Sequence, residues 1–443
     1  MLNLLAKEDD MTIVQIAPLL TEELFQYIWK HRLFTISHLH TIEGEAVQVL
    51  QPGVLNSNDG PDFSNARLRI GNTIWAGNVE LHLKTSDWYR HNHQRDQRYQ
   101  NVILHVVFEH DLEETTTQGI PCLELQSAIP KMLLHRYAQL KHSGHFVPCG
   151  GNVATVGRLI WRSWKDRLLV ERLEKRADMM KEWLTRSRNN WEECCYWAIA
   201  YSYGMPVNGD AFLKLAQSLP YTMLVRNKHN LAQLEALLFG QAGMLEGPFT
   251  DDYPSELQAE YRFLKRKYHL LSLLPHQWRW LRMRPSSFPS VRLASLAVLL
   301  QQGRDLFARL LEMKDLQHFQ QVLFVQPEGY WKDHYRFDTP AVVMRRPGVM
   351  VTRNVIINSI LPLLYLYGRE KGLPEYQERA LGMMETLPAE ENSIMDGWKK
   401  VGILAGDAAD SQALLHLKQH YCEEKRCLQC AIGCKLLKTG ISL

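Results

Sequence analysis

The sequence predicts an N-terminal α/β (or α+β) domain built on a mixed sheet of about five strands, followed by a mostly all-α C-terminal region. Three observations predict it. Residues 21–34 place Leu24, Phe25, Ile28 and Trp29 at helical spacing behind Thr21, a residue suited to an N-cap. Segments of strand character follow at 46–50, 66–70, 74–84, 102–108 and 122–125, separated by turn-rich pieces such as QPGVLNSNDGPD. From residue 159 onward apolar residues recur at three and four, as in WRSWKDRLLVERLEKRADMMKEWL, the pattern of amphipathic helices packed on one another.

The texture changes at 141–153 (KHSGHFVPCGGNV), which divides the chain into an α/β domain at 20–145 and a helical domain at 155–443. Further breaks within the helical part are expected near 246–256 and 326–345. At 443 residues the chain exceeds one typical core, in keeping with that division. With 46% hydrophobic and 22% charged residues it is an ordinary globular composition, which excludes disorder and fibres. A net charge of +3 excludes a histone-like binder but leaves room for a basic cleft. The start MLNLLAKEDD lacks a basic n-region and a small-residue cleavage site, so a cytoplasmic protein is expected. Residues 355–368 are interrupted by Asn358, Ser359 and Pro362 and fall short of a span of about 20 residues, which predicts a buried helix and no membrane.

The densest chemistry lies between residues 60 and 105. Alternation in the strand at 79–84 sends Val79, Leu81 and Leu83 to one face and Glu80, His82 and Lys84 to the other. Asp62 stands just ahead of the preceding strand, and a hairpin brings it to the same sheet edge as Glu80. Two carboxylates with open positions between them suit Mg²⁺ or Mn²⁺, hard cations that keep waters and accept a phosphate oxygen. Asp87, His91, His93, Asp96 and His105 follow. His91-x-His93 with Asp96 has a spacing compatible with Zn²⁺ or another transition metal, or is a solvated loop. His105, inside VILHVV, is either a core histidine with a hydrogen-bond partner or a cleft residue beside Glu80.

This arrangement resembles the PD-(D/E)xK nuclease superfamily, in which an Asp after Pro and a Glu two residues before a Lys hold the metal and position the attacking water. Over residues 20–126, Pro61-Asp62 and Glu80 fit, and the preceding helix offers Glu22 or Glu23 as a further acid. The lysine position holds His82, with Lys84 one pleat further, about 6–7 Å away. The resemblance implies a restriction-endonuclease-like sheet and Mg²⁺- or Mn²⁺-dependent hydrolysis of DNA or RNA, with His82 or Lys84 near the water. Two other functions stand beside it: a non-catalytic nucleic-acid or protein-binding module with a degenerate metal site, and a His-rich metal hydrolase using His91, His93 and His105. Segments from end to end, among them GPDFSNARLRIG, GNVELHLKTSDWYRHNHQRD and CEEKRCLQCAIG, are similar to an uncharacterised bacterial family, domain-of-unknown-function family 2851.

Cys422-x4-Cys427-x2-Cys430-x3-Cys434 crowds four thiols into the tail. Four thiolates suit Zn²⁺ or an iron–sulfur cluster. All four are awkward to draw from so tight a segment, so Cys149 is a candidate ligand from elsewhere; the alternative is that small apolar cysteines pack the last helix. Basic residues interleaved with aromatics at Trp278, Arg279, Arg282, Arg284 and Arg292 are the pairing used to grip single-stranded nucleic acid, although solvated helix faces carry the same residues.

Overall fold

The computed structural model describes residues 20–440 other than 57, 114–115, 282, 304, 314 and 342–347. Helix α1 (Glu22–Lys30) starts where Thr21 Oγ1 accepts the Leu24 N–H at 3.2 Å. Its acids lie in the first turn and Lys30 in the last, complementing the helix dipole. Leu24, Phe25, Ile28 and Trp29 are fully buried. Phe25 meets Phe108 edge-on, and the Trp29 indole N–H donates to the Pro52 carbonyl at 3.0 Å.

The sheet comprises β1 (Val47–Gln51), β2 (Val54–Leu55), β3 (Phe63–Ile70), β4 (Thr73–Lys84), β5 (Val102–Glu109), β6 (Thr116–Thr117) and β7 (Ile120–Glu124). Its order is β1-β3-β4-β5-β7-β6, with β2 on β3. The pairs β1/β3 and β3/β4 are antiparallel, whereas β4/β5 and β5/β7 are parallel. This is the mixed sheet the sequence predicts. Strand β5 is buried from Val102 through Phe108, as a parallel strand covered on both faces should be.

Two registers position the chemistry. Phe63 pairs with Val79, which sets residue 62 opposite residue 80 in the antiparallel ladder. Glu80 pairs with His105 on the other side. Gly77 makes this close approach possible: a Cβ there would lie 2.5 Å from Ile103 Cγ2 and 2.8 Å from the Asn101 carbonyl. Strand β4 is exposed through Ala76 and buried over Val79–His82. The β4–β5 connection holds the single helical turn α2 (Asp87–Arg90) and the 3₁₀ turns His93–Arg95 and Gln97–Tyr99.

The chain forms two compact units. The first joins the residues up to Trp164 with Gly397–Ile403 and Leu417–Leu443. The sequence places that tail in the helical domain, yet Cys427, Leu428 and Leu437 belong to the same hydrophobic core as Leu133 and Tyr137 of α3 (Lys131–His142), because the tail supplies apolar surface the sheet needs. The second unit, Lys165–Asp396 with Leu404–His416, is mostly helical, with helices such as Trp191–Gly204, Leu231–Gln241 and Pro289–Gln302. One small hairpin, β8 (His334–Arg336) with β9 (Thr339–Pro340), interrupts it. The helical run Val349–Lys371 is long and apolar enough to cross a membrane, but 78% of its apolar window is buried inside the fold, as expected of a core helix. It passes through a π-turn at Ile356–Ile360, just before Pro362, whose missing N–H breaks the regular ladder.

Candidate metal centre

The structure brings Asp62 and Glu80 together. Glu80 Oε2 accepts the Asp62 backbone N–H at 2.9 Å, and Asp62 Oδ2 accepts the Leu81 N–H at 3.0 Å. Gln26 of α1 donates to Asp62 Oδ1 at 2.7 Å. The two carboxylates are thus locked across the β3/β4 ladder, and Glu80 Oε1 is left facing the imidazoles. It lies 3.6 Å from His82 Nε2 and 3.4 Å from His93 Nε2.

His82, His91 and His93 each offer a ring nitrogen within 4.8 Å of the others, with His82 Nε2 and His91 Nδ1 only 3.2 Å apart. Strand β4 supplies His82 from its buried half. The other two flank Asn92, whose φ of 61° is a left-handed kink that asparagine tolerates and that folds the connection back over the strand. His105 is fully buried on β5; its Nε2 lies 2.9 Å from His82 Nδ1, and its Nδ1 lies 2.9 Å from Thr117 Oγ1. Trp88 and Tyr99 form the wall. Tyr99 stacks on His93 at 3.9 Å between centroids, and Trp88 packs edge-on against His82 and His93.

Burial pushes the Asp62 carboxyl up, with Glu22 adding to it. Burial also raises Glu80, and the facing Asp62 adds to that. Burial drives His82 down to about 2, His93 to about 4 and His105 to about 3, so these imidazoles are neutral at pH 7. Among the described residues, no Lys or Arg pairs with Asp62 or Glu80. Burial favours the neutral form of Glu80 as it does of the imidazoles beside it, and a bound metal cation would favour the ionised carboxylate instead. The spacing fits it: metal bonds of 2.0–2.1 Å in tetrahedral geometry put neighbouring donors about 3.3 Å apart.

Not every candidate joins this cluster. Lys84 is half exposed and its Nζ lies 3.6 Å from Glu109 Oε2, because the β4/β5 register pairs these residues at the open strand end; the expectation that it reaches the Glu80 site is corrected. Asp87 is buried but serves the turn, accepting the Lys84 N–H at 3.1 Å and pairing with Arg90 at 2.9 Å. Asp96 caps its 3₁₀ turn and pairs with Arg98, whose hydrogen bonds hold its carboxyl at about 2. On α1 it is Glu22 that acts on Asp62 and Glu80, whereas Glu23 acts on Cys427.

The expected nucleic-acid residues lie in the second unit. Trp278 is a core residue there: it is 5% exposed, and its indole N–H donates to the Ala242 carbonyl at 2.7 Å, so no base has access to its ring. Arg279 and Arg284 are exposed, and Arg282 lies outside the described residues. Arg292 is held within the helix Pro289–Gln302, its pKa lowered by burial. Gln26, Thr117, Trp88 and Tyr99 go unmarked in the sequence, since nothing local ties them to Asp62, His105 or His93; only the aromatics between Asp87 and Tyr99 hint at a wall.

A family model described as a protein of unknown function, DUF2851, matches residues 22–393. No curated protein and no solved structure matches the chain.

Proposed function

Since the chain belongs to the DUF2851 family of unknown function, we propose from its site chemistry that it is a metal-dependent, nuclease-like phosphodiesterase whose cation is held by His82, His91 and His93, with Glu80 beside the open fourth position. The observation that carries this reading is the convergence of three ring nitrogens with Glu80 Oε1, at 3.2, 3.4 and 3.6 Å for the measured pairs. A nitrogen-rich donor set favours a first-row transition metal such as Zn²⁺ over Mg²⁺ bound by carboxylates alone.

When bound, the metal supplies an activated water at neutral pH and offsets charge developing on phosphate. The protein supplies the rest. The Asp62 N–H fixes Glu80, while Gln26 and the Leu81 N–H fix Asp62. With His82 Nδ1 donating to His105 Nε2, His82 Nε2 would be the atom offered to the metal. Trp88 and Tyr99 exclude water from one side. Of the arginines on the connection that carries His91 and His93, Arg90 and Arg98 are paired with Asp87 and Asp96, so the choice of phosphodiester rests on the resemblance of Pro61-Asp62 and Glu80 to the nuclease motif.

The test is cleavage of labelled single- and double-stranded DNA and RNA by protein loaded with Zn²⁺, Mn²⁺ or Mg²⁺, beside Glu80→Ala. Metal-dependent cleavage lost in the variant supports the reading. Absence of cleavage by the wild type, or equal cleavage by both, overturns it, and nucleic-acid binding without cleavage points to the binding module instead.

A further inference from the structure

Between Tyr261 and Gly303, in the second unit, the chain carries no aspartate or glutamate. Arg262, Arg266, Lys267, Arg279 and Arg284 stand exposed in this stretch, and among the described residues none of them forms an ion pair. Its charge is therefore of one sign and is not neutralised locally. Apolar side chains stand out among these cations: Leu271 is 84% exposed, Leu274 58% and Leu281 89%, while Phe263, 57% exposed, shares helix Asp252–Tyr268 with Lys267.

The backbone that presents the leucines is pinned. The Leu273 N–H donates to the Gln241 carbonyl and Gln241 Nε2 to the Leu271 carbonyl, both at 2.7 Å. The Trp278 indole N–H reaches the Ala242 carbonyl, and Asn208 bonds the Arg279 backbone twice, at 2.8 and 2.9 Å. A Cβ on Gly243 would lie 2.3 Å from the Leu273 carbonyl oxygen, so the segment sits directly against the residues that end helix Leu231–Gln241. A segment held at both ends and in the middle cannot turn Leu271 and Leu274 inward without breaking these bonds.

Unneutralised cations attract nucleic acid and anionic lipid alike, and the neutral side chains decide between them. A single-strand binder stacks bases on free aromatic faces. Here Trp278 is buried, and the Arg336 guanidinium lies 4.3 Å from the Trp280 ring centroid and 5.0 Å from that of Phe288, whose rings meet edge-on at 5.6 Å. These aromatic rings are already engaged, and what remains outward is leucine, which acyl chains reward and bases do not. We propose that this stretch is a peripheral docking surface for an anionic bilayer, with Arg266, Lys267, Arg279 and Arg284 meeting headgroup phosphates and Leu271, Leu274 and Leu281 entering the acyl boundary. No span is involved, so attachment is reversible and weakens with salt. None of these residues belongs to the metal centre of the first unit, and the surface stands or falls apart from the phosphodiesterase reading.

The experiment sediments the full-length protein with vesicles of phosphatidylcholine alone or mixed equally with phosphatidylglycerol, beside a gel-shift with a labelled single-stranded oligonucleotide. The wild type should sediment with the anionic vesicles and not with the zwitterionic ones, and added salt should release it. Leu271→Gln combined with Leu281→Gln should weaken vesicle binding by about tenfold or more, and Lys267→Gln combined with Arg279→Gln should do the same at low salt. All four side chains are exposed, so the melting curves of both double variants should overlay that of the wild type. Absence of binding to anionic vesicles overturns the surface, as does vesicle binding that the leucine substitutions leave intact. Oligonucleotide binding that disappears with the cations but survives in the leucine variant, without vesicle binding, overturns it in favour of a nucleic-acid grip.

Discussion

His82 Nδ1 lies 2.9 Å from His105 Nε2, a buried contact between neighbouring parallel strands. Both rings are neutral, so one nitrogen donates and the other accepts. Because Thr117 Oγ1 sits on the far nitrogen of His105, the three groups form a relay from β6 through β5 to β4. The end of that relay is His82 Nε2, the atom turned toward Glu80 and His91. Supports of this kind orient metal-binding imidazoles.

Thr117→Val should therefore weaken the centre without touching a ligand. Removing the hydroxyl leaves His105 Nδ1 buried without its partner, at a cost of about 1–3 kcal/mol in stability, and should lower metal affinity by roughly 10–100-fold. Thr117→Ser should restore both. Competition titration against a chromogenic chelator measures the affinity, and an unchanged value in Thr117→Val would show the relay to be idle.

His82→Ala and Lys84→Ala separate the imidazole site from a lysine-dependent one. The alanine at 82 should reduce metal affinity and cleavage by roughly 100-fold or more, whereas the alanine at 84 removes only a half-exposed ion pair to Glu109 and should leave both within about twofold. Parallel metal analysis and rate measurement decide between them. A collapse in Lys84→Ala with His82→Ala intact would sink the ligand set proposed above.

Glu235, in the second unit, provides a pH test that involves none of the proposed metal ligands. It is 5% exposed in helix Leu231–Gln241, and burial pushes its carboxyl from 4.5 up to about 7, with the Tyr253 hydroxyl pulling it partly back. Below pH 4.5 the group is neutral in both the folded and the unfolded chain, so its burial is then least costly. As pH rises toward 7 the unfolded chain releases the proton first, and stability falls by about 3 kcal/mol before levelling off. Glu235→Gln should remove that fall and melt higher than wild type at pH 8. Melting curves collected between pH 4.5 and 8 check this, and parallel curves for the two proteins would contradict it.

Gly240→Ala tests the packing of helix Leu231–Gln241 on helix Asp252–Tyr268. An added Cβ would lie 2.0 Å from Tyr261 Cγ, the fixed root of the ring rather than a flexible tip. Tyr261 is also held by its hydroxyl, 3.0 Å from both Gln241 Oε1 and Ser272 Oγ. Overpacking should cost about 1–3 kcal/mol or more, visible as a lower urea midpoint with an unchanged slope. A midpoint within about 0.5 kcal/mol of wild type would show that the helices separate freely.

Much of this was legible along the chain because periodicity is local. The alternation Glu80-x-His82-x-Lys84 follows from the two-residue repeat of a strand, and the α1 stripe from the helical repeat. Lys84 shares a face with Glu80, but face alone does not say where a strand leaves its buried section. That depends on how far β5 pairs alongside, and Glu109 at the end of the pairing takes the lysine. Trp278 misleads for a related reason: an aromatic among arginines reads as a stacking platform until the Ala242 carbonyl and the surrounding helices claim its ring.

By itself the sequence determined the helix, the order of the strands along the chain, the alternation of Glu80 with His82, and the crowding of cysteines at the tail, all properties of spacing along one dimension. Only the tertiary structure decided that β5 lies parallel to β4 and sets His105 beside Glu80, that Asn92 turns His91 and His93 back over His82, and that the C-terminal tail packs into the core of the sheet domain. The physical reason is that a donor set is defined by distances of 3–4 Å between groups far apart in sequence, and those distances are set by strand register and core packing rather than by any local preference.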